Sequence, residues 1–210
     1  MECTYRIVVV GIGPGSPDYV LPIASRTIAG ARVLVGSKRA LDTFASAGQI
    51  TKVIDKDIKS VLDFIECQLA GQDVVVLVSG DPGFYSMLAA LRNRFAAECI
   101  TVVPGISSAQ LAFARLAEVW QDAALISMHG RKAADDVLSY RPGHKLGILT
   151  DTQHNPAHIA RVLLQQGWPE TASVWLCANL SYDNEVVAAM TLSEATAIPG
   201  FEHSVMVVKA

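Results

Sequence analysis

Excess positive charge is missing from this 210-residue chain: 17 Lys and Arg stand against 20 Asp and Glu, a formal net charge of −3, with the basic residues scattered. That balance excludes the broad cationic footprint that nucleic acid demands. Apolar runs are too short to span a bilayer, and Met1-Glu2-Cys3-Thr4-Tyr5-Arg6 lacks a basic segment followed by an apolar one. A cytoplasmic protein without anchor or targeting segment is expected. Only four cysteines occur, Cys3, Cys67, Cys99 and Cys177, none in a CxxC pair. They read as small hydrophobes in a reducing compartment. No G-x-x-x-x-G-K-[ST] and no G-x-S-x-G is present, which argues against a P-loop NTPase and a nucleophile elbow. His154 and His158 are four apart, but Pro156 puts His154 ahead of the helix and no acid completes a ligand set, so no metal is expected. Asp135-Asp136 reads as a solvated face.

Hydrophobic residues make up 51% of the chain, enough for a substantial core. Residues 7–10 are continuously apolar and β-branched, as in a strand buried on both faces. The pattern then predicts a helix over 21–31, a strand over 32–35, a helix over 58–70 and a third strand over 74–78. A helix through Leu88 and Leu91, a strand over 100–103 and a helix begun by Ser107 or Ser108 complete an alternating α/β half. The amphipathic pattern stops around Glu118 to Asp122, so the domains are placed at 1–119 and 120–210. The second half reads as mixed α+β. Its strands fall at 124–128, 146–150, 173–178, 186–191 and 204–208, with one strong helix from Asn155-Pro156 to Gly167. Ser181-Tyr182-Asp183-Asn184 suggests a hairpin turn and antiparallel pairing.

Three times in the first half an apolar strand runs into a Gly/Pro loop and then a helix. The loops are Gly11-Ile12-Gly13-Pro14-Gly15-Ser16-Pro17, Ser79-Gly80-Asp81-Pro82-Gly83 and Pro104-Gly105-Ile106-Ser107-Ser108. All would lie at the carboxyl edge of one sheet, where open α/β sheets bind ligands. A dinucleotide fingerprint fails on position: Ser16 stands where the third glycine belongs, and Pro14 and Pro17 remove amides. Ser37-Lys38-Arg39 also stands where a ribose-binding acid is needed, which an NADP preference explains only in part. Met128-His129-Gly130-Arg131-Lys132 turns polar and basic at a strand end, as a functional loop or a strand leaving the core would.

Taken together, the three loops make the chain resemble the tetrapyrrole (corrin/porphyrin) methylase family over nearly its whole length. That family opens on a strand and a G-x-G-P-G-x-P loop, with G-D-P after the third strand and P-G-x-[ST] after the fourth. Val35-Gly36-Ser37-Lys38-Arg39-Ala40-Leu41, Ser79 to Ser86, His129-Gly130-Arg131, Leu149-Thr150-Asp151 and Asn179-Leu180-Ser181 resemble the members that act at C-5 of a cobalt-precorrin. Ala178 departs from the pattern, which places Glu before Asn-Leu. The resemblance implies the two-domain fold of the family, a mostly parallel amino-terminal sheet plus a mixed carboxy-terminal domain, with S-adenosyl-L-methionine in the cleft between them, and a homodimer. It implies C-5 methylation of cobalt-precorrin-7 in cobalamin biosynthesis. Cofactor contacts are implied at Pro14, Ser79, Gly80, Asp81, Phe84, Ser107, Ser108, Leu149, Thr150, Asn179 and Leu180. The macrocycle carries many carboxylates, for which Arg39, Arg131 and Lys132 are the natural partners. His129 is the candidate to receive the proton released after methylation. Cobalt would be carried by the substrate. Because the chain stops just after its last strand, the stand-alone, cobalt-early form is expected, with a separate C-15 methyltransferase/decarboxylase as a candidate partner subunit. Alternatives remain: a relative acting on diphthine or ribosomal RNA, an NADP-dependent oxidoreductase, or a non-catalytic tetrapyrrole carrier.

Overall fold

The computed structural model describes residues 4–131, 133–201 and 204–210. Contacts divide the chain into two units, the first ending at Ser107 and the second starting at Ser108. The first alternates β1 (Ile7–Gly11), α1 (Pro22–Ala29), β2 (Val33–Gly36), α2 (Lys38–Phe44), β3 (Ile50–Val53), α3 (Ile58–Gln68), β4 (Val74–Val78), α4 (Leu88–Arg94) and β5 (Ile100–Val103). Its strands form one parallel sheet in the order β3-β2-β4-β1-β5, with Ile7 opposite both Val74 and Ile100. Side chains alternate across a strand, so each face has its own core. Ile7, Val9, Val74 and Val76 pack with Val61 and Ile65 of α3 and Leu91 of α4. Val10, Val75 and Leu77 pack with Ala24 and Ile28 of α1 and Ala40 and Leu41 of α2. Coverage on both faces is why the central strands read as unbroken apolar runs.

Two elements escape the sequence pattern. β3, Ile50-Thr51-Lys52-Val53, lies at the sheet edge with three of its four residues exposed, so it carries no buried run to detect. Val74–Val78 is therefore the fourth strand and not the third. The basic segment after β2 is the start of α2, whose N-cap Ser37 accepts the Ala40 N–H at 3.2 Å.

The second unit contains α5 (Ser108–Arg115), β6 (Ala124–Ser127), α6 (Asp135–Leu138), β7 (Lys145–Leu149), α7 (Pro156–Gln165), β8 (Ser173–Ala178), β9 (Val186–Thr191), α8 (Leu192–Ala195) and β10 (Ser204–Lys209). The sheet order is β6-β7-β10-β8-β9; β6 and β7 are parallel and the other neighbours antiparallel. One face buries Leu146, Ile148, Val174, Leu176, Met206 and Val208 against Ile159 and Leu163 of α7 and Leu192 of α8. On the other, Phe113 of α5 rests on Gly147, where an added Cβ would come within 2.8 Å of the ring. That packing assigns α5 to the second unit, so the contact division falls before the expected 119/120 boundary. The segment after α5 is a polar clamp. Lys145, 3% exposed at the start of β7, donates to Glu118 Oε1 at 3.1 Å, Asp122 Oδ1 at 3.0 Å and the Val119 carbonyl at 2.8 Å. Cys67 and Cys177 are free thiols, but Cys99 is disulfide-bonded, against the expectation for all four. No helix among the described residues is long and apolar enough to cross a membrane.

Candidate functional site

In the first unit, β4 and β1 are neighbours, yet the helices that follow them lie on opposite faces of the sheet: α1 follows β1 and α4 follows β4. This is a topological switch point, where a crevice opens beyond the carboxyl ends of the strands. The three Gly/Pro loops meet there. Gly13 and Gly80 form a bridge, the Gly80 N–H donating to the Gly13 carbonyl at 2.7 Å and the Gly13 N–H to that of Gly80 at 3.3 Å. Both adopt positive φ, +74° and +69°, a conformation that glycine adopts at no steric cost. The Asp81 carboxylate accepts the Gly83 N–H at 2.8 Å and the Gly105 N–H at 3.1 Å. A Cβ on Gly105 would sit 2.3 Å from the Gly80 carbonyl oxygen, and one on Gly11 2.6 Å from the same atom. Backbones this close leave peptide groups, not side chains, facing a ligand.

Pro14, Ser79, Gly80, Asp81, Phe84 and Ser107 thus belong to one loop cluster. Ser107 is buried, its Cα 3.4 Å from where a Gly80 Cβ would be. Phe84 stacks edge-on against Tyr85, which holds φ at +51°. Arg39, on the first turn of α2, donates to Ser79 Oγ at 3.3 Å, which places it beside the cluster. A cavity of about 510 Å³ lined by Tyr5, Arg26, Arg32 and Asp73 lies instead at the amino ends of β1 and β4, away from these loops.

In the second unit the carboxyl ends of β6, β7 and β8 and the amino end of β10 share one sheet edge. His129, Gly130 and Arg131 follow β6 there, all exposed. His129 Nδ1 lies 3.4 Å from the Thr150 carbonyl, a contact that suits the tautomer with Nδ1 protonated and Nε2 as acceptor. Lys132 lies outside the described residues. Ser108 starts α5, while Leu149 ends β7 and Thr150 follows it. The Thr150 hydroxyl bonds the Ser204 carbonyl at 3.0 Å and hydroxyl at 3.1 Å, so this side chain anchors the start of β10. Asn179 and Leu180 follow β8; Asn179 is exposed at φ +51°, and Leu180 is buried. Ala178 is buried and paired with Val186 and Ser204.

Two acids here escaped the sequence reading. Asp151 was part of a matched motif with no role of its own. It is 7% exposed, accepts three backbone N–H groups, and is held well below the usual carboxylate range, first by the Gly130 N–H and then by that of His154. Glu185 accepts the Ser181 N–H at 2.7 Å and pairs with Arg115, whose hydrogen bond lowers its carboxyl from the ordinary value. It steadies the turn that carries Asn179, and its place after four polar residues offered no periodic signal. Among the described residues no group of three or more His, Cys, Asp or Glu is placed to hold a metal ion.

The profile of the family described as Tetrapyrrole (Corrin/Porphyrin) Methylases matches residues 6–196. The cobalt-precorrin-7 C(5)-methyltransferase of Salmonella typhimurium is 32% identical over 191 residues, covering 91% of this chain and 93% of its own. Among solved structures, the methyltransferase CobJ has a TM-score of 0.83 at 21% identity, over 98% of this chain and 94% of its own. The uroporphyrin-III C-methyltransferase of Thermus thermophilus, complexed with S-adenosylhomocysteine, has a TM-score of 0.73 at 20% identity, over 97% and 91%.

Proposed function

The chain belongs to the tetrapyrrole (corrin/porphyrin) methylase family, and on that premise we propose that it methylates cobalt-precorrin-7 at C-5 in cobalamin biosynthesis, with S-adenosyl-L-methionine as donor. The observation that carries the reading is the loop cluster at the switch point of the first sheet, whose Gly13–Gly80 bridge and Asp81–Gly105 bond turn three sequence motifs into one surface. The residues fit such a donor. Glycines bring bare backbone to the surface, Ser79 and Ser107 add hydroxyls, and Phe84 offers an apolar cover for a purine. The donor supplies a methyl group on a positively charged sulfur. The proposed contacts are Pro14, Ser79, Gly80, Asp81, Phe84, Ser107, Ser108, Leu149, Thr150, Asn179 and Leu180.

Methyl transfer to carbon is an in-line displacement, so these residues act chiefly by alignment and by excluding water. Arg39, Arg131 and Lys132 pair with the acetates and propionates of the macrocycle, the arginines bidentately. His129, through Nε2, receives the proton that leaves the methylated carbon. Cobalt belongs to the substrate. The protein acts as a homodimer in the cytoplasm, with a separate C-15 methyltransferase as its partner enzyme.

Incubation with cobalt-precorrin-7 and methyl-labelled S-adenosylmethionine tests this directly. Label at C-5 supports the reading, and label on another atom or another macrocycle assigns a different substrate to the same fold. Absence of turnover together with NADPH binding would overturn it.

A further inference from the structure

We propose that Asp151 is the positioning residue of the macrocycle loop, setting His129 and Arg131 through its grip on the Gly130 backbone. The inference rests on the functional reading above, which assigns His129 and Arg131 to the substrate. Asp151 follows the end of β7, whereas His129 to Arg131 follow β6, so the contact crosses between adjacent strand ends. Its two oxygens do different work. Oδ1 accepts the N–H groups of Gln153 and His154 at 2.8 and 2.5 Å and closes the turn into α7, while Oδ2 takes the Gly130 N–H at 2.6 Å and lies 3.5 Å from His154 Nδ1. Gly130 sits at φ +66° between the two residues that matter, so fixing its peptide fixes the directions in which both side chains leave the loop. On one side of this peptide the His129 N–H reaches Ser127 Oγ at 3.2 Å and His129 Nδ1 faces the Thr150 carbonyl. Nothing lies within 4 Å of a Cβ built on Gly130, so the space beside this peptide is open, and the Asp151 carboxylate grips its N–H.

Asp151→Asn separates the two roles. One amide oxygen can still serve the Gln153 and His154 donors, but the amide nitrogen then faces the Gly130 N–H, donor against donor. The turn into α7 survives and the cross-loop bond is lost. In the folded variant, trypsin should cut after Arg131 faster than in wild type. The KM for cobalt-precorrin-7 should rise about tenfold or more, the scale of one lost hydrogen bond to a charged group, with S-adenosylhomocysteine affinity within about twofold of wild type. Gly130→Ala, which strains the same peptide without touching Asp151, should reproduce the KM effect and should not add to it fully in the double variant. It also stands in should Asp151→Asn fail to fold. Unchanged cleavage and unchanged KM overturn the proposal, as does an equal loss of S-adenosylhomocysteine affinity, which would mean that the whole sheet edge had collapsed. Wild type that binds S-adenosylhomocysteine but never turns over the macrocycle would sink the functional reading instead. The cleavage rates then still decide whether Asp151 holds this loop.

Discussion

Asp81 Oδ2 accepts the backbone N–H of Gly105 at 3.1 Å, so one carboxylate joins the loop after β4 to the loop after β5. Its other oxygen is taken by the Gly83 N–H, which makes the side chain a brace within the cluster. Asp81→Ala should weaken S-adenosylhomocysteine binding by about 1–3 kcal/mol, the range for losing a hydrogen bond to a charged group or leaving a donor unmet. Titration calorimetry measures it. Unchanged affinity in a folded variant would remove Asp81 from the site.

The close approach of the loops predicts a sharper effect. Gly105→Ala would press a methyl group to 2.3 Å from the Gly80 carbonyl oxygen, against backbone that cannot swing aside as a side chain can. The cost should reach at least about 3 kcal/mol, the upper end for overpacking, with cofactor binding lost in parallel. Gly143→Ala is the contrast. Its Cβ meets nothing within 4 Å, and only its φ of +73° resists, so the loss should be about 1–2 kcal/mol. Chemical denaturation of the two variants should rank them in that order.

Arg131 follows a strand end, is exposed, and carries a planar guanidinium that matches a carboxylate bidentately. Arg131→Ala should raise KM for the macrocycle and leave S-adenosylhomocysteine affinity nearly intact. Arg131→Lys should recover only part of the loss, since a point charge replaces a planar fork. If both variants turn over the corrin precursor like wild type, Arg131 is an ordinary solvated residue.

The clamp at the start of β7 should show in the pH dependence of stability. Glu118 is pulled down from 4.5 to about 2, first by its hydrogen bond from Lys209 and then by that from Lys145. A carboxyl depressed in the folded state binds protons more readily once unfolded, so its stabilisation is present above the ordinary carboxylate range and drains away as the pH falls. The difference in Tm between wild type and Glu118→Gln should be full at neutral pH and shrink between pH 4.5 and about 2. A difference that ignores pH would assign the effect to packing.

Much of this was legible in the linear chain because local rules dictate it. Buried parallel strands must be apolar on both faces, so β1 and β4 announced themselves. Asn155-Pro156 carries its own helix start: the Asn155 side chain accepts the His158 N–H at 2.9 Å, as the cap predicts. The three Gly/Pro loops were visible for the same reason, since a chain that turns sharply at a strand end needs residues that permit it. Other features had no local signature. β3 is an exposed edge held only by its neighbour, and α5 sits with the second sheet because Phe113 finds Gly147 there, a pairing across 34 positions that no window of sequence contains. Asp151 and Glu185 look like solvated acids until the fold brings backbone donors to them. Composition and periodicity therefore determined which elements form and where they bend. Only the tertiary structure decided which carboxylates hold the loops, because a hydrogen bond between distant residues depends on distance in space and leaves no period along the chain.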